Sequence, residues 1–267
     1  ISTIITTFDG ATGLQVEEGL IPATSPDAVS AGGQALKEEK SINYSLGFSG
    51  DLGEATTLSV DFYRIEVDDR IYRTGDIQLA DGRTISFYTN AIDTLSQGVD
   101  VVVTSSTDWS AEASTDFTFA ANYNKFEVTD QRQVAGSTPV SDATVEDIES
   151  NYPKLRFVAT ANTHFNDQWN LLVRANYYGT HWDERGIQAG TPPSAEIGAT
   201  IYFDMELGYQ ITEELRVVAG ASNIFDSYVD TISDPFANRN SVGLPYPRRS
   251  AANYEGGSWY LRASYQF

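Results

Sequence analysis

Cysteine is absent from the 267 residues, which excludes a disulfide framework and any thiolate-bound metal or redox centre. Histidine occurs only at His164 and His181, too little material for the paired-histidine motifs that hold zinc. Positive charge is scarce as well: 17 Lys and Arg stand against 37 Asp and Glu, for a net charge of −20. Nucleic-acid phosphates would be repelled by such a chain, so no nucleic-acid partner is expected. No stretch approaches the roughly 20 apolar residues that a membrane-spanning helix needs. That absence bears on helices alone, because a strand crossing a bilayer needs apolar residues only at alternate positions. No leader opens the chain, and Ile1–Phe8 is already strand-like, so the sequence reads as a piece of a longer polypeptide.

What the chain does contain is aromatic and β-prone, with 15 Tyr and 13 Phe against a single Met. Ten strand-like runs can be marked: Ile1–Phe8, Ser41–Ser49, Thr56–Tyr72, Asp93–Thr107, Ala113–Asp130, Pro153–Phe165, Trp169–Arg185, Ala199–Thr212, Leu215–Asp226 and Ser258–Phe267. Many carry a period of two. In the fifth, Phe117, Phe119, Ala121 and Tyr123 oppose Asp116, Thr118, Ala120 and Asn122. In the eighth, Ile201, Phe203, Met205 and Leu207 oppose Tyr202, Asp204, Glu206 and Gly208. Asp61, Asp100, Asp116, Asp204 and Glu206 all fall on the parity opposite the apolar stripe. In a bilayer a slip of one residue would carry them into lipid, at up to a few kcal/mol each near the midplane.

The connections are sorted by length. Gly50–Ala55, Asp108–Glu112, Asn166–Gln168 and Glu213–Glu214 are short. Asp9–Lys40, Arg73–Ile92, Gln131–Tyr152, Gly186–Gly198 and Ser227–Gly257 are long, and the two kinds alternate strictly. An outer-membrane barrel predicts this, with tight turns on one side and long external loops on the other. A β-sandwich has no reason to sort its loops so. Two aromatic girdles follow as an expectation. Trp109, Trp169, Phe48, Phe165, Tyr209 and Phe267 lie at the turn end, and Tyr63, Trp182, Tyr202 and Trp259 nearer the loop end.

The final run, Ser258–Phe267, resembles the C-terminal assembly signal of bacterial outer-membrane barrels, with aromatics at Tyr265 and Phe267. Arg262 stands where that signal favours a small residue. Leu36–Phe48, with its Lys-Glu-Glu-Lys-Ser run before Asn43-Tyr44, resembles the entry to a barrel strand in TonB-dependent outer-membrane receptors. Glu38 stands where that family often has Pro. Asp61–Ile71 is similar to the family's next strand, and Thr89–Asp93 followed by Gln97-Gly98-Val99-Asp100 to the strand that returns. Ser222-Asn223-Ile224-Phe225-Asp226 resembles the ending of its penultimate strand.

The resemblance implies an all-β fold: an antiparallel transmembrane β-barrel, of which residues 1–267 supply about the last ten strands of twenty-two. The family's plug domain, and the short box that engages TonB, have no counterpart in these residues. It also implies an outer-membrane receptor of a Gram-negative bacterium that imports a scarce small-molecule ligand with energy delivered through TonB. A ferric siderophore heads the expected ligands, before an oligosaccharide, haem or vitamin B12. The partners so implied are the TonB complex, through the missing plug, the barrel-assembly machinery and outer-membrane lipid.

Two stretches stand out as ligand contacts. His181-Trp182-Asp183-Glu184-Arg185 could form a ligand or metal cluster at a strand top, or an aromatic girdle followed by a charged loop mouth. Trp182, Asp183 and Arg185 are its candidates. Tyr246-Pro247-Arg248-Arg249 is the most basic spot in an acidic chain, and Arg suits anionic ligands. Tyr246, Arg248 and Arg249 are therefore candidates, with simple charge balancing as the competing reading. Asp68-Asp69-Arg70 and Asp142…Glu149 are oxygen-rich enough for Ca²⁺ but lack a calcium-loop grammar, so solvated acidic loops are expected. His164, beside a short turn, is expected to be a solvated side chain. No Ser-His-Asp order in strand-turn-helix context and no phosphate-binding glycine loop occur, so no catalytic residue, cofactor site or metal site is assigned, and no enzyme is expected. Two other readings compete with the receptor: a ten-stranded outer-membrane barrel enzyme, and a soluble all-β binding module.

Overall fold

A computed structural model describes residues 3–8, 15–134, 138–183, 195–231, 243, 245–247 and 250–267. The period-two runs become long antiparallel strands: β3 (Lys40–Asp51), β4 (Thr56–Arg73), β7 (Tyr88–Ser110), β8 (Ala113–Gln131), β9 (Leu155–Phe165), β10 (Trp169–Tyr178), β13 (Thr200–Gln210), β14 (Leu215–Ser222) and β15 (Ser258–Tyr265). These nine pair in the order β15-β14-β13-β10-β9-β8-β7-β4-β3. Each neighbour in that order is also the next of these nine strands in sequence, as short turns and returning loops require.

The stretches outside these nine strands are not bare. They carry β1 (Thr3–Phe8), β2 (Gln15–Leu20), α1 (Pro26–Ser30), β5 (Ile77–Gln78), β6 (Thr84–Ser86), α2 (Asp142–Ser150), β11 (His181–Asp183) and β12 (Ala195–Ile197). The first expected wall strand, Ile1–Phe8, is corrected here. Its described part is β1, which pairs with β2 in a separate sheet ordered β1-β2-β6-β5. Its β-prone composition foretells an extended chain, and says nothing about the partner.

The chain divides into two compact units. One comprises Ile1–Tyr44, Arg64–Ser96 and Phe126–Glu149. Its α1 starts at Ser25, whose hydroxyl accepts the Ala28 N–H at 3.4 Å, with Pro26 in the first turn where a missing N–H costs nothing. Ala23, Ala28 and Ala31 pack with Ile85, Phe87 and Val134 in one small core. A second core joins Ala91, Ile92 and Val140 with Val145 and Ile148 of α2. The acidic stretch Asp142…Glu149, expected as a solvated loop, is thus a helix. Asp147 is buried and Glu149 accepts the Val128 N–H at 2.7 Å.

The other unit comprises Ser45–Tyr63, Gln97–Lys125 and Ser150–Phe267. Its register joins Phe117↔Ala161↔Val173↔Met205↔Ala221↔Trp259 on one face. One residue further on, Thr118↔Thr160↔Arg174↔Asp204 lies on the other. Aromatic rings line the apolar face, with Phe157 5.8 Å from Phe119 and stacked 4.6 Å from Tyr177. Trp259 and Leu261 are 85% and 71% exposed. Apolar surface left open to water forgoes about 25 cal/mol per Å², so a stripe of this kind suits a hydrocarbon surround. The opposite face is a polar network. Asn122 Nδ2 donates to Asp100 at 2.6 Å, Asn124 Nδ2 to the Tyr63 hydroxyl at 2.6 Å, and the Tyr260 hydroxyl to Glu206.

Candidate ligand-binding site

Tyr63 and Tyr202 correct the expected loop-end girdle. Tyr63 lies in the polar network, and Tyr202 shares a parity with Asp204 and Glu206. Tyr202 is 6% exposed, and its hydroxyl donates to the Asn253 carbonyl at 2.5 Å. Around it pack Ile197, Val229 and Ala252, with Tyr178 and Tyr246 at the margin. These residues come from the ends of β10 and β13, from β12, and from the long connection Ser227–Gly257. The polar face therefore acquires a small core where the loops fold over it.

Asp204 ties this region together. Its Oδ2 accepts Asn176 Nδ2 at 2.9 Å, and its Oδ1 accepts the Asn223 backbone N–H at 2.9 Å. Asn223 and Asp226 have φ of 48° and 53°, a left-handed region that Asn and Asp tolerate better than most residues. The Asn223 side chain accepts the Ser227 N–H at 3.0 Å and donates to the Ser227 carbonyl at 2.7 Å. Asp226 Oδ1 accepts the Gly257 N–H at 2.7 Å. The stretch Asn223–Asp226 is thus a turn that ends β14 at Ser222 and clamps the two ends of the following loop.

His181, in the first candidate stretch, bonds to Ala251, just beyond the second. This side chain is 1% exposed. Its Nε2 accepts the Ala251 N–H at 3.1 Å, which leaves Nδ1–H to donate to the Gly179 carbonyl at 3.0 Å. Two backbone groups thus engage the ring nitrogens, with the Ser250 hydroxyl 3.5 Å from Nε2. Trp182 is half-buried on β11, where it pairs with Glu196, and Asp183 pairs with Ala195. Arg185, Arg248 and Arg249 lie outside the described residues. Tyr246 is placed, sandwiched 6.0 Å from the Tyr228 ring and 5.7 Å from the Tyr254 ring, tilted 14° and 13°.

Sequence reasoning missed Asn176, Tyr178, Tyr202, Asp204, Asn253 and Glu255. Together with Ser222, Asn223, Gly256 and Ser258 they line a cleft of about 370 Å³. The signal was available in part: Asn176, Tyr178, Tyr202 and Asp204 share the polar parity at adjacent strand ends. His164 is half-exposed, 4.0 Å from Asp116, as expected of a solvated side chain. Among the described residues no group of three or more His, Asp or Glu could hold a metal ion.

Nine antiparallel strands with one apolar and one polar face, short turns at one end and loop-built structure at the other, define an outer-membrane barrel wall. A family model described as "TonB dependent receptor-like, beta-barrel" matches residues 4–224, and the chain belongs to that family. Its members are outer-membrane receptors and transporters rather than enzymes. Solved structures agree in fold. The siderophore receptor PirA from Acinetobacter baumannii matches with a TM-score of 0.60 at 17% identity, covering 100% of this chain and 36% of that one. A variant of the ferric enterobactin receptor PfeA from Pseudomonas aeruginosa matches at 0.59 and 15%, covering 96% and 33%. The copper transporter OprC matches at 0.55 and 14%, covering 87% and 32%. The chain thus spans about a third of the length of these structures. No curated protein sequence matches it.

Proposed function

We propose that this chain forms part of the barrel wall and external loops of an active-transport receptor in the outer membrane of a Gram-negative bacterium. Such a receptor captures a scarce small molecule and imports it with TonB-derived energy, acting through a plug domain carried elsewhere on the polypeptide. The carrying observation is the two-faced nine-stranded sheet, with its alternation of short turns and structured loops. Residues 1–267 then belong to the C-terminal part of the barrel, with Tyr265 and Phe267 read by the barrel-assembly machinery. These two rings pack edge-to-face, 5.0 Å apart.

A ferric siderophore is the first ligand to test, since PirA and PfeA are named as siderophore and ferric enterobactin receptors. Oligosaccharide, haem and vitamin B12 follow. Trp182, Asp183, Arg185, Tyr246, Arg248 and Arg249 are the proposed ligand contacts on the loop side. The test expresses the full-length polypeptide in an Escherichia coli strain stripped of its own siderophore receptors. Radiolabelled iron uptake is then measured with a panel of ferric siderophores, with and without functional TonB. TonB-dependent uptake of one of them is expected. A polypeptide found in the soluble fraction would sink the reading.

A further inference from the structure

We propose that the body seated against the polar face of this wall is two-sided, basic where it meets β4, β7 and β8 and acidic where it meets β9, β10, β14 and β15. The proposal rests on the receptor reading above, whose plug is that body, and adds the surface chemistry and the rotation of the occupant. The polar face of the second unit carries its charges in two panels. On β4, β7 and β8 it presents Asp61, Asp100 and Asp116. The stretches Ser45–Tyr63 and Gln97–Lys125 contain one Lys or Arg, Lys125, and it has the parity of Phe119 and Tyr123 on the apolar side. Asp61 accepts the Ser59 hydroxyl at 3.2 Å, Asp100 accepts Asn122 at 2.6 Å, and Asp116 lies 4.0 Å from His164. Among the described residues no Lys or Arg forms an ion pair with any of the three.

The other panel carries Arg156, Arg174, Arg216 and Arg262. Asp204 and Glu206, on β13 among these strands, are already engaged. Asp204 holds Asn176 and Asn223, and Glu206 holds Tyr260 and Arg262. Arg174 and Arg216 are exposed and donate to neutral oxygens, the Thr160 hydroxyl at 3.4 Å and the Asn170 amide at 3.3 Å. Asp61 and Arg174 stand four strand spacings apart, about 19 Å across the sheet at roughly 4.8 Å each. That is about twice the roughly 8–10 Å over which salt screens, so the panels do not neutralise each other through water. Open to water, such charges cost little. Covered by a body that excludes water, each would lose its hydration, and an opposite charge on that body is what offsets the loss. A uniformly acidic body would be repelled by the first panel and a uniformly basic one by the second. The two signs therefore also select one rotation of the occupant. The chain spans about a third of the solved structures it matches, which leaves length for a domain inside the barrel.

The experiment places the full-length polypeptide in planar lipid bilayers and records the urea concentration at which it begins to conduct, at low and at high NaCl. The double variants Asp61→Lys/Asp116→Lys and Arg174→Glu/Arg216→Glu are compared with the parent after a heat-modifiable gel shift has shown each barrel folded. The parent is expected to be silent without urea and to open at lower urea as salt rises. Each variant should open about 1 M earlier than the parent at low salt, and respond less to added salt. Should a variant barrel fail the gel test, the salt dependence of the parent decides. A threshold that ignores both salt and the substitutions would overturn the proposal and leave the receptor reading standing, since a plug held by neutral contacts behaves so. A shift in only one of the two variants would overturn it as well, because both panels must be engaged. A parent that conducts without urea has a water-filled lumen, which would count against the proposal and the receptor reading together.

Discussion

Arg132 Nη2 lies 2.8 Å from Asp93 Oδ1, and through Nη1 the same guanidinium reaches Asp69 Oδ1, also at 2.8 Å. Asp93 in turn accepts the Asp69 backbone N–H at 2.8 Å. Asn90 completes the knot, donating to the Asp69 carbonyl and joined to Lys37 through both backbone groups. Asp69 has φ of 59°, so its carboxylate sits on a turned backbone that these bonds hold in place. Asp69 of the acidic run Asp68-Asp69-Arg70, weighed as a calcium ligand set, is thus engaged by Arg132.

Replacing Arg132 by Met keeps the length of the side chain and removes the charge. Both carboxylates then face each other without a cation, but each is partly solvated, which limits the cost. A loss of about 1.5 kcal/mol is expected locally, read as roughly tenfold faster hydrogen exchange at the Asp69 amide. Unchanged protection there would show that the backbone turn stands without the ion pairs.

Gly98 is placed where Tyr63 crosses the polar face. A Cβ at this position would run into the Tyr123 backbone carbonyl and come within 2.5 Å of the Tyr63 hydroxyl, which in turn receives Asn124. Gly98→Val should displace Tyr63 and cost about 1–3 kcal/mol through overpacking and lost hydrogen bonds. The midpoint of urea-induced loss of the heat-modifiable species is the measurement. Gly98→Val with the companion Tyr63→Ala should recover part of the loss, which a defect unrelated to Tyr63 would not.

The Tyr228 phenol is held above its ordinary 10.0, first by its hydrogen bond to Asp226 and then by that carboxylate's charge. A raised folded value means that the neutral phenol is the favoured form in the native state. Its contribution to stability is therefore complete below pH 10 and disappears as pH climbs through the folded value. A tyrosinate absorbance titration of the parent minus Tyr228→Phe should show one group ionising above 10. In Asp226→Asn that group should move back down; if it does not, Asp226 is not the cause.

The faces of the wall were readable from parity because one physical rule, lipid on one side and water or protein on the other, acts on every strand. Asp204 and Glu206 announced the polar side of β13, and the structure gives them Asn176, Asn223 and Tyr260 as partners on that side. Tyr202 had the same parity and could have been read the same way. It was assigned to a girdle because aromatic residues suit both an interface and a loop-covered core. His181 shows the opposite limit. Its burial depends on Ala251, seventy residues away, and no local pattern encodes that contact. The small helices are a third case: α1 and α2 are too short for periodicity to reveal, and tertiary packing selects them.

The bond from Gly257 to Asp226 means that the two ends of a thirty-residue excursion meet on fixed ground before the excursion begins. Just inside those ends, Val229 and Ala251–Asn253 are tied back to the strands through Tyr202 and His181. A population under pressure from phage or antibodies can rewrite the middle of this loop, lengthening or shortening it, for little more than the slow logarithmic rise of loop-closure entropy. The same root would serve an engineer, as a socket into which a foreign peptide could be set while the wall below it folds unaware.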